Sequence, residues 1–287
     1  MIVLFLLKVI SHTPFFILYS ISTFLSFILT LLPCTKYVAK RNFYRVFVNK
    51  SNFQLNILTF KFFRNFIDYF IELVKISNFS ENQIKKHCQF KNVELIECLV
   101  NEHQFVLCFG AHMVNYEMLT SFPLHTKNIG MCHLYLAAPP SKALNWMLNL
   151  RGKYGAINIP TNNPLRPILE LRNRIRSGED KHKGYVWGSL SDMDPKREDH
   201  HAVPFLNHKL EVKTGAEKLA RRLNMGFCYA HMRKVKRGYY EVTFKEMKPQ
   251  RDPAEYEFAY TDEFVRLLEI NVKEQPEIWM QWGGYRF

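Results

Sequence analysis

Residues 104–117 read Gln104-Phe105-Val106-Leu107-Cys108-Phe109-Gly110-Ala111-His112-Met113-Val114-Asn115-Tyr116-Glu117. The apolar run Phe105–Phe109, closed by a glycine, has the pattern of a strand buried on both faces, which is the habit of parallel sheets. A histidine two residues beyond the glycine then stands where α/β folds display reactive groups, at the carboxyl end of a central strand.

Strand and helix alternate outward from this stretch. A helix is expected over 113–122 and a strand near 128–133. Pro139 and Pro140 introduce a helix over 141–154, followed by a short strand at 156–159. A basic amphipathic helix, 165–176, stops at Ser177-Gly178, and 184–190 is again strand-like. Thr214 and Thr261 are expected to cap helices over 215–223 and 262–274, with Asp262 and Glu263 favourably placed in the first turn of the latter. Lys236-Arg237-Gly238 suits a hairpin pairing 227–235 with 239–245. The alternation predicts an α/β fold, a layered domain whose mostly parallel sheet is flanked by helices.

The chain of 287 residues has a formal net charge of +13, and 47% of it is hydrophobic. Its 24 Phe and 14 Tyr exclude a disordered chain. Steady charge after residue 61, with a mean hydropathy of −0.19, excludes a multi-span transporter. No Asp or Glu precedes Asp68, so the first 67 residues carry +8 and the rest only +5. Within that acid-free segment residues 9–35 are uncharged, and Thr13 to Leu32 is long enough to cross a bilayer core as a helix. A transmembrane anchor is the favoured reading, against a signal peptide and a buried or interfacial helix. The basic cluster Lys36 to Lys50 would place the following chain in the cytoplasm. The expected organisation is an anchor over 1–35, basic and aromatic membrane-proximal helices over 36–80, and the α/β domain over 81–287. Basic and aromatic residues together also suit nucleic acid, but their adjacency to an apolar span favours membrane lipid. The six cysteines form no C-x-x-C pair and sit mostly in apolar runs, as packed reduced thiols do.

Three constellations carry chemistry. His112 and Glu117 form an H-x-x-x-x-E pair: the imidazole would take a proton from a hydroxyl and the carboxylate would fix its tautomer. Eleven His and 26 acids in 287 residues yield about one such pair by chance, so its context after the strand is what recommends it. On a single helix the two side chains would diverge, so His112 is expected in the strand-to-helix turn. Ser191-Asp192-Met193-Asp194-Pro195, at the exit of 184–190, is either a turn or a site loop. As Asp192-x-Asp194 it could hold a divalent metal and a nucleotide sugar, with His200 and His201 adding nitrogen ligands. The third constellation is cationic: Arg151, Arg166, Arg172, Arg174, Arg176, Lys181 and Lys183 make either a solvated face or an anion site.

Taken in order, these pieces resemble the late (secondary) acyltransferases of lipid A biosynthesis, within the lysophospholipid acyltransferase superfamily. Gly110-Ala111-His112 with Glu117 matches that family's H-x-x-x-x-[DE] motif. Arg151-Gly152, Asn162-Asn163-Pro164-Leu165-Arg166, Asp192-Met193-Asp194 with Val203-Pro204-Phe205-Leu206, Thr214-Gly215 and Pro276-Glu277-x-Trp279 follow in the family's order. The ending Trp282-Gly283-Gly284-Tyr285-Arg286-Phe287 lacks the family's usual histidine, and Met193 is an unusual centre for the Asp-x-Asp loop.

The resemblance implies an O-acyltransferase at the inner membrane with its catalytic domain facing the cytoplasm. It would move a fatty acyl chain from acyl carrier protein, or acyl-CoA, to a hydroxyl of a lipid A precursor or related glycolipid. His112 would be the general base and Glu117 its orienting partner, with Asn115, Arg151, Arg166, Asp194 and Arg286 contacting substrate. Thioester exchange needs no metal and no cofactor. A metal-dependent glycosyltransferase and a non-enzymatic basic membrane scaffold are the alternatives.

Overall fold

The computed structural model describes residues 9–135, 137–192 and 200–284. Its centre is a seven-stranded sheet in the order β1-β9-β8-β2-β5-β3-β4. The strands are β1 (Cys88–Lys91), β2 (Phe105–Gly110), β3 (Ile129–Tyr135), β4 (Ile157–Pro160), β5 (Gly184–Leu190), β8 (Gly226–Lys236) and β9 (Tyr239–Glu246). Only the β8–β9 pair is antiparallel. These two strands form the hairpin expected around Lys236-Arg237-Gly238. Gly238 turns it with a φ of +78°, and a side chain there would also collide with the Tyr19 hydroxyl. A separate hairpin of β6 (His200–Phe205) and β7 (His208–Lys213) was not foreseen from the sequence, nor was the edge strand β1.

Six consecutive buried residues make β2 the sheet's middle, as its unbroken apolar run demands. One face of the sheet is covered by residues 259–274, where Phe264 stacks on Phe109 at 5.1 Å. The other is covered by a 3₁₀ segment, Tyr116–His125. An α-helix over 113–122 was expected there. Asn115 adopts a left-handed conformation (φ 57°) and Pro123 lacks an amide donor, so an α-helix cannot run through the stretch. Neither expected threonine cap forms: the helix expected at 262 begins at Ala259, where Thr261 donates its hydroxyl to Glu217, and Thr214 makes no capping bond.

The N-terminal third is helical: α1 (Phe15–Leu31), α2 (Pro33–Val46) and α3 (Asn52–Ile76). Ser51 and Gln54 close a capping box at the start of α3, which the S-x-x-Q spacing encodes. The expected transmembrane helix is not found. Among the described residues no helix is long and apolar enough to cross a membrane. Prolines interrupt the uncharged stretch: Pro14 precedes α1, and the chain turns extended at Leu32 before Pro33. Polar bonds also tie α1 to the body of the protein. Ser22 donates to Asp68 at 2.6 Å and Tyr19 to Glu72 at 2.9 Å, both acceptors being on α3. Arg237 from the hairpin clasps Asp68 through two nitrogens and reaches the Tyr19 carbonyl.

Candidate active site

β2 and β5 are adjacent and parallel, and Gly110 lies opposite Leu190 in their register. The residues two places beyond each strand therefore emerge side by side at the carboxyl edge of the sheet. These residues are His112 and Asp192. His112 Nδ1 lies 2.6 Å from Asp192 Oδ1, and the His112 amide donates to Asp192 Oδ2 at 3.0 Å. Trp279 Nε1 donates to the same Oδ2 at 2.9 Å. The C-terminal segment also fixes the turn through its backbone: Val114 N donates to Ile278 O, and Met280 N to His112 O.

Asp192 is fully buried. Burial alone would raise its pKa, but the positive charge available on His112 and the hydrogen bonds from His112 and Trp279 outweigh it and hold the carboxyl below its usual value. An ionised carboxylate only accepts, so the proton of neutral His112 resides on Nδ1 and the lone pair on Nε2. This is the form a general base requires.

Glu117 is placed elsewhere. It is buried, and Arg151 grips it in a two-pronged ion pair, Nε to Oε2 at 2.8 Å and Nη2 to Oε1 at 2.5 Å. His112 is oriented by Asp192, and Glu117 makes no hydrogen bond to it. The left-handed turn at Asn115 carries Glu117 over the sheet face, where Arg151 waits at the end of the helix Lys142–Gly152. Asn115 was expected to meet substrate but is fully buried and donates its amide to Glu72. Arg166 is exposed and pairs with Glu170 one turn along its own helix. Asp194, Met193 and Arg286 lie outside the described residues. In sequence Asp192 reads as part of a turn, a site loop or a metal-binding Asp-x-Asp pair, with no pairing to His112, yet His112 and Trp279 donate to its oxygens.

A cleft of about 610 Å³ opens beside the pair and is lined by His112, Tyr135, Thr161, Ser189, Ser191 and their neighbours. Among the described residues its cations are Arg151, Lys213, Lys218 and Arg222, and no described carboxylate lines it. Behind Leu134, Arg151, Ser189 and Leu190, which line both spaces, a narrow cavity of about 60 Å³ runs between the 3₁₀ segment and the sheet. Its floor consists of alternate strand residues, including Cys108, Gly110, Gly188 and Ala230, whose small side chains leave the room. Phe90, Phe122 and Phe244 pack against one another at its far side. Among the described residues no group of His, Cys, Asp and Glu is arranged to hold a metal ion.

Comparison with the curated proteins finds no match. Comparison with known families matches residues 1–282 to one described as bacterial lipid A biosynthesis acyltransferase. The oriented histidine at the mouth of a cationic cleft is therefore set in a chain that belongs to the bacterial lipid A biosynthesis acyltransferase family and is an acyltransferase.

Proposed function

We propose that the protein transfers a fatty acyl group from a thioester on acyl carrier protein, or less readily coenzyme A, to a hydroxyl of a lipid A precursor or related glycolipid, with His112 as general base and Asp192 as its orienting partner. The observation that carries this reading is the His112–Asp192 contact at the open end of the sheet. Nε2 takes the acceptor's proton as its oxygen attacks the thioester carbonyl. The tetrahedral adduct collapses, the C–S bond breaks, and the imidazolium returns the proton to the departing thiolate. Arg151, held in place by Glu117, brings positive charge to the wall beside the developing oxyanion. The wide cleft suits a phosphorylated sugar headgroup or the acidic carrier, since Arg151, Lys213, Lys218 and Arg222 line it. The narrow, largely apolar cavity behind it has room for the first few carbons of the donor's chain.

The outer side of the helical third supports membrane attachment. Phe16, Phe24, Phe27 and Leu31 on α1 are 56–72% exposed, and Phe53 on α3 is 73% exposed. We place this face in the headgroup region of the inner membrane, with the basic residues between Lys40 and Lys50 near anionic lipid and the cleft on the cytoplasmic side. The test is transfer of labelled acyl chains from carrier-bound thioester to lipid A precursor by the purified protein. His112→Ala should lower the rate at least ~10²-fold; transfer at the wild-type rate would reject the assignment.

A further inference from the structure

The narrow cavity behind the cleft holds one side chain that its surroundings do not explain. Among the described residues His133 makes no hydrogen bond, and its Nε2 is shut off from solvent. Every other polar side chain lining this space has a protein partner. Glu117 and Arg151 hold each other, Tyr116 accepts from Tyr69, Thr120 donates to the Glu117 carbonyl, and Ser189 pairs with Ser191. An unmade buried hydrogen bond is costly, and native proteins keep few of them. A ligand group that supplies the bond removes the anomaly.

The place of His133 limits what that group can be. His133 sits on β3 directly beside Gly188 of β5. Gly188 puts no side chain against the ring: a Cβ built there would already touch His133 Nδ1 and Met131 Cε, each at 3.4 Å. The cavity's other wall here is Arg151, which also faces the cleft that holds His112. A chain entering from the cleft therefore meets His133 with its first carbons. Burial foremost, then the Arg151 charge, pushes the imidazole's pKa down to about 3. It is thus neutral in the cell, with one nitrogen that donates and one that accepts. A hydroxyl likewise donates and accepts. A carboxylate has no proton to donate, and a methylene offers neither.

We propose that His133 is a specificity-determining residue that hydrogen-bonds a hydroxyl on one of the first carbons of the bound acyl chain, so that the enzyme selects hydroxyacyl over unsubstituted acyl donors. The inference rests on the reading above that the narrow cavity receives the donor's chain. Discrimination should be large, because a site built to bond a hydroxyl is left with an unpaired buried group when the hydroxyl is missing.

The experiment compares tetradecanoyl, 2-hydroxytetradecanoyl and 3-hydroxytetradecanoyl thioesters on one carrier, using the full chain. The wild type should favour one hydroxy isomer by about tenfold or more in kcat/KM. His133→Leu should erase that preference, leave transfer of the plain chain within about threefold, and melt no lower than wild type, since it deletes an unpaired polar group. His133→Gln, which can place an amide near Nε2, should recover part of the preference. Equal use of all three donors by the wild type would overturn the proposal, as would an equal loss on all three in His133→Leu. If no donor is transferred, the functional reading fails first, and thermal shifts with tetradecanamide and its two hydroxy derivatives then decide. Greater stabilisation by a hydroxylated amide, lost in His133→Leu, supports the role of His133, whereas equal stabilisation rejects it.

Discussion

Replacing Asp192 with Asn changes one atom and should nearly abolish transfer. Within the described residues, Oδ2 of the carboxylate accepts from the His112 amide and the Trp279 indole, and Oδ1 from the His112 ring. The first two donors cannot become acceptors. An asparagine therefore keeps its oxygen toward them and turns its NH₂ to Nδ1. Nδ1 must then accept, which moves the ring proton to Nε2, where the lone pair is needed. In catalytic triads that tautomer error costs about 10⁴-fold in kcat, and a loss of that order is expected here with the fold intact. A second signature is thermodynamic. The Asp192 carboxyl is held below its usual pKa, so its stabilising contribution is present above the unfolded value of about 3.9 and is lost as pH falls through the lower folded value. The Asn variant lacks that contribution, so its melting temperature should fall less steeply than wild type in strong acid. Labelled acyl transfer at saturating donor, with calorimetry across pH, tests both. If Asp192→Asn keeps more than a tenth of the wild-type rate, Asp192 is not the orienting group.

Glu117→Gln leaves Arg151 largely buried without its anion, which should destabilise the protein by about 3 kcal/mol; the double variant with Arg151→Gln should regain most of that loss in a denaturant titration without regaining activity. Acidifying the wild type should cost stability that His133→Leu does not lose. The folded imidazole stays neutral down to about 3 while the unfolded one protonates near 6.5, so the difference grows by at most about 1.4 kcal/mol per pH unit between those values. Phe24→Asp with Phe27→Asp puts two charges on the exposed side of α1 and should release the protein from anionic vesicles in a flotation assay while transfer to a detergent-dispersed acceptor persists.

The sheet was readable because its central strands are nearly pure apolar runs: β2 and β5 stand out by composition alone, and Gly238 marks the hairpin. What escaped were features whose cause lies elsewhere in the chain. The 3₁₀ segment keeps an apolar pattern that a helix could share. Asn115 decides its course by turning left-handed, a conformation stabilised by its bond to Glu72, 43 residues away. Likewise α1 has the composition of a membrane span. Ser22 and Thr23 look innocuous within it until Asp68 and Arg237 supply partners, and a helix held by such bonds packs on the protein.

The orienting carboxylate was missed for a reason that can be turned into a rule. Glu117 was favoured for its place in an H-x-x-x-x-E motif after a buried strand, yet the backbone between the two turns left-handed at Asn115. Asp192 is 80 residues away, but it stands as far beyond the end of β5 as His112 stands beyond β2. When two parallel strands are neighbours in register, equal offsets past their ends put side chains together regardless of the chain length between them. The sign of such adjacency lay in the sequence: two largely apolar strands, each followed two residues beyond its end by a titratable side chain. An acid or base at matching offsets after the two most apolar strands of a parallel sheet is thus a stronger sign of a coupled pair than an H-x-x-x-x-E spacing, which chance alone supplies about once in a chain of 287 residues. In the mechanism proposed above, Glu117 then acts through Arg151, and the reacting proton is governed from across the sheet.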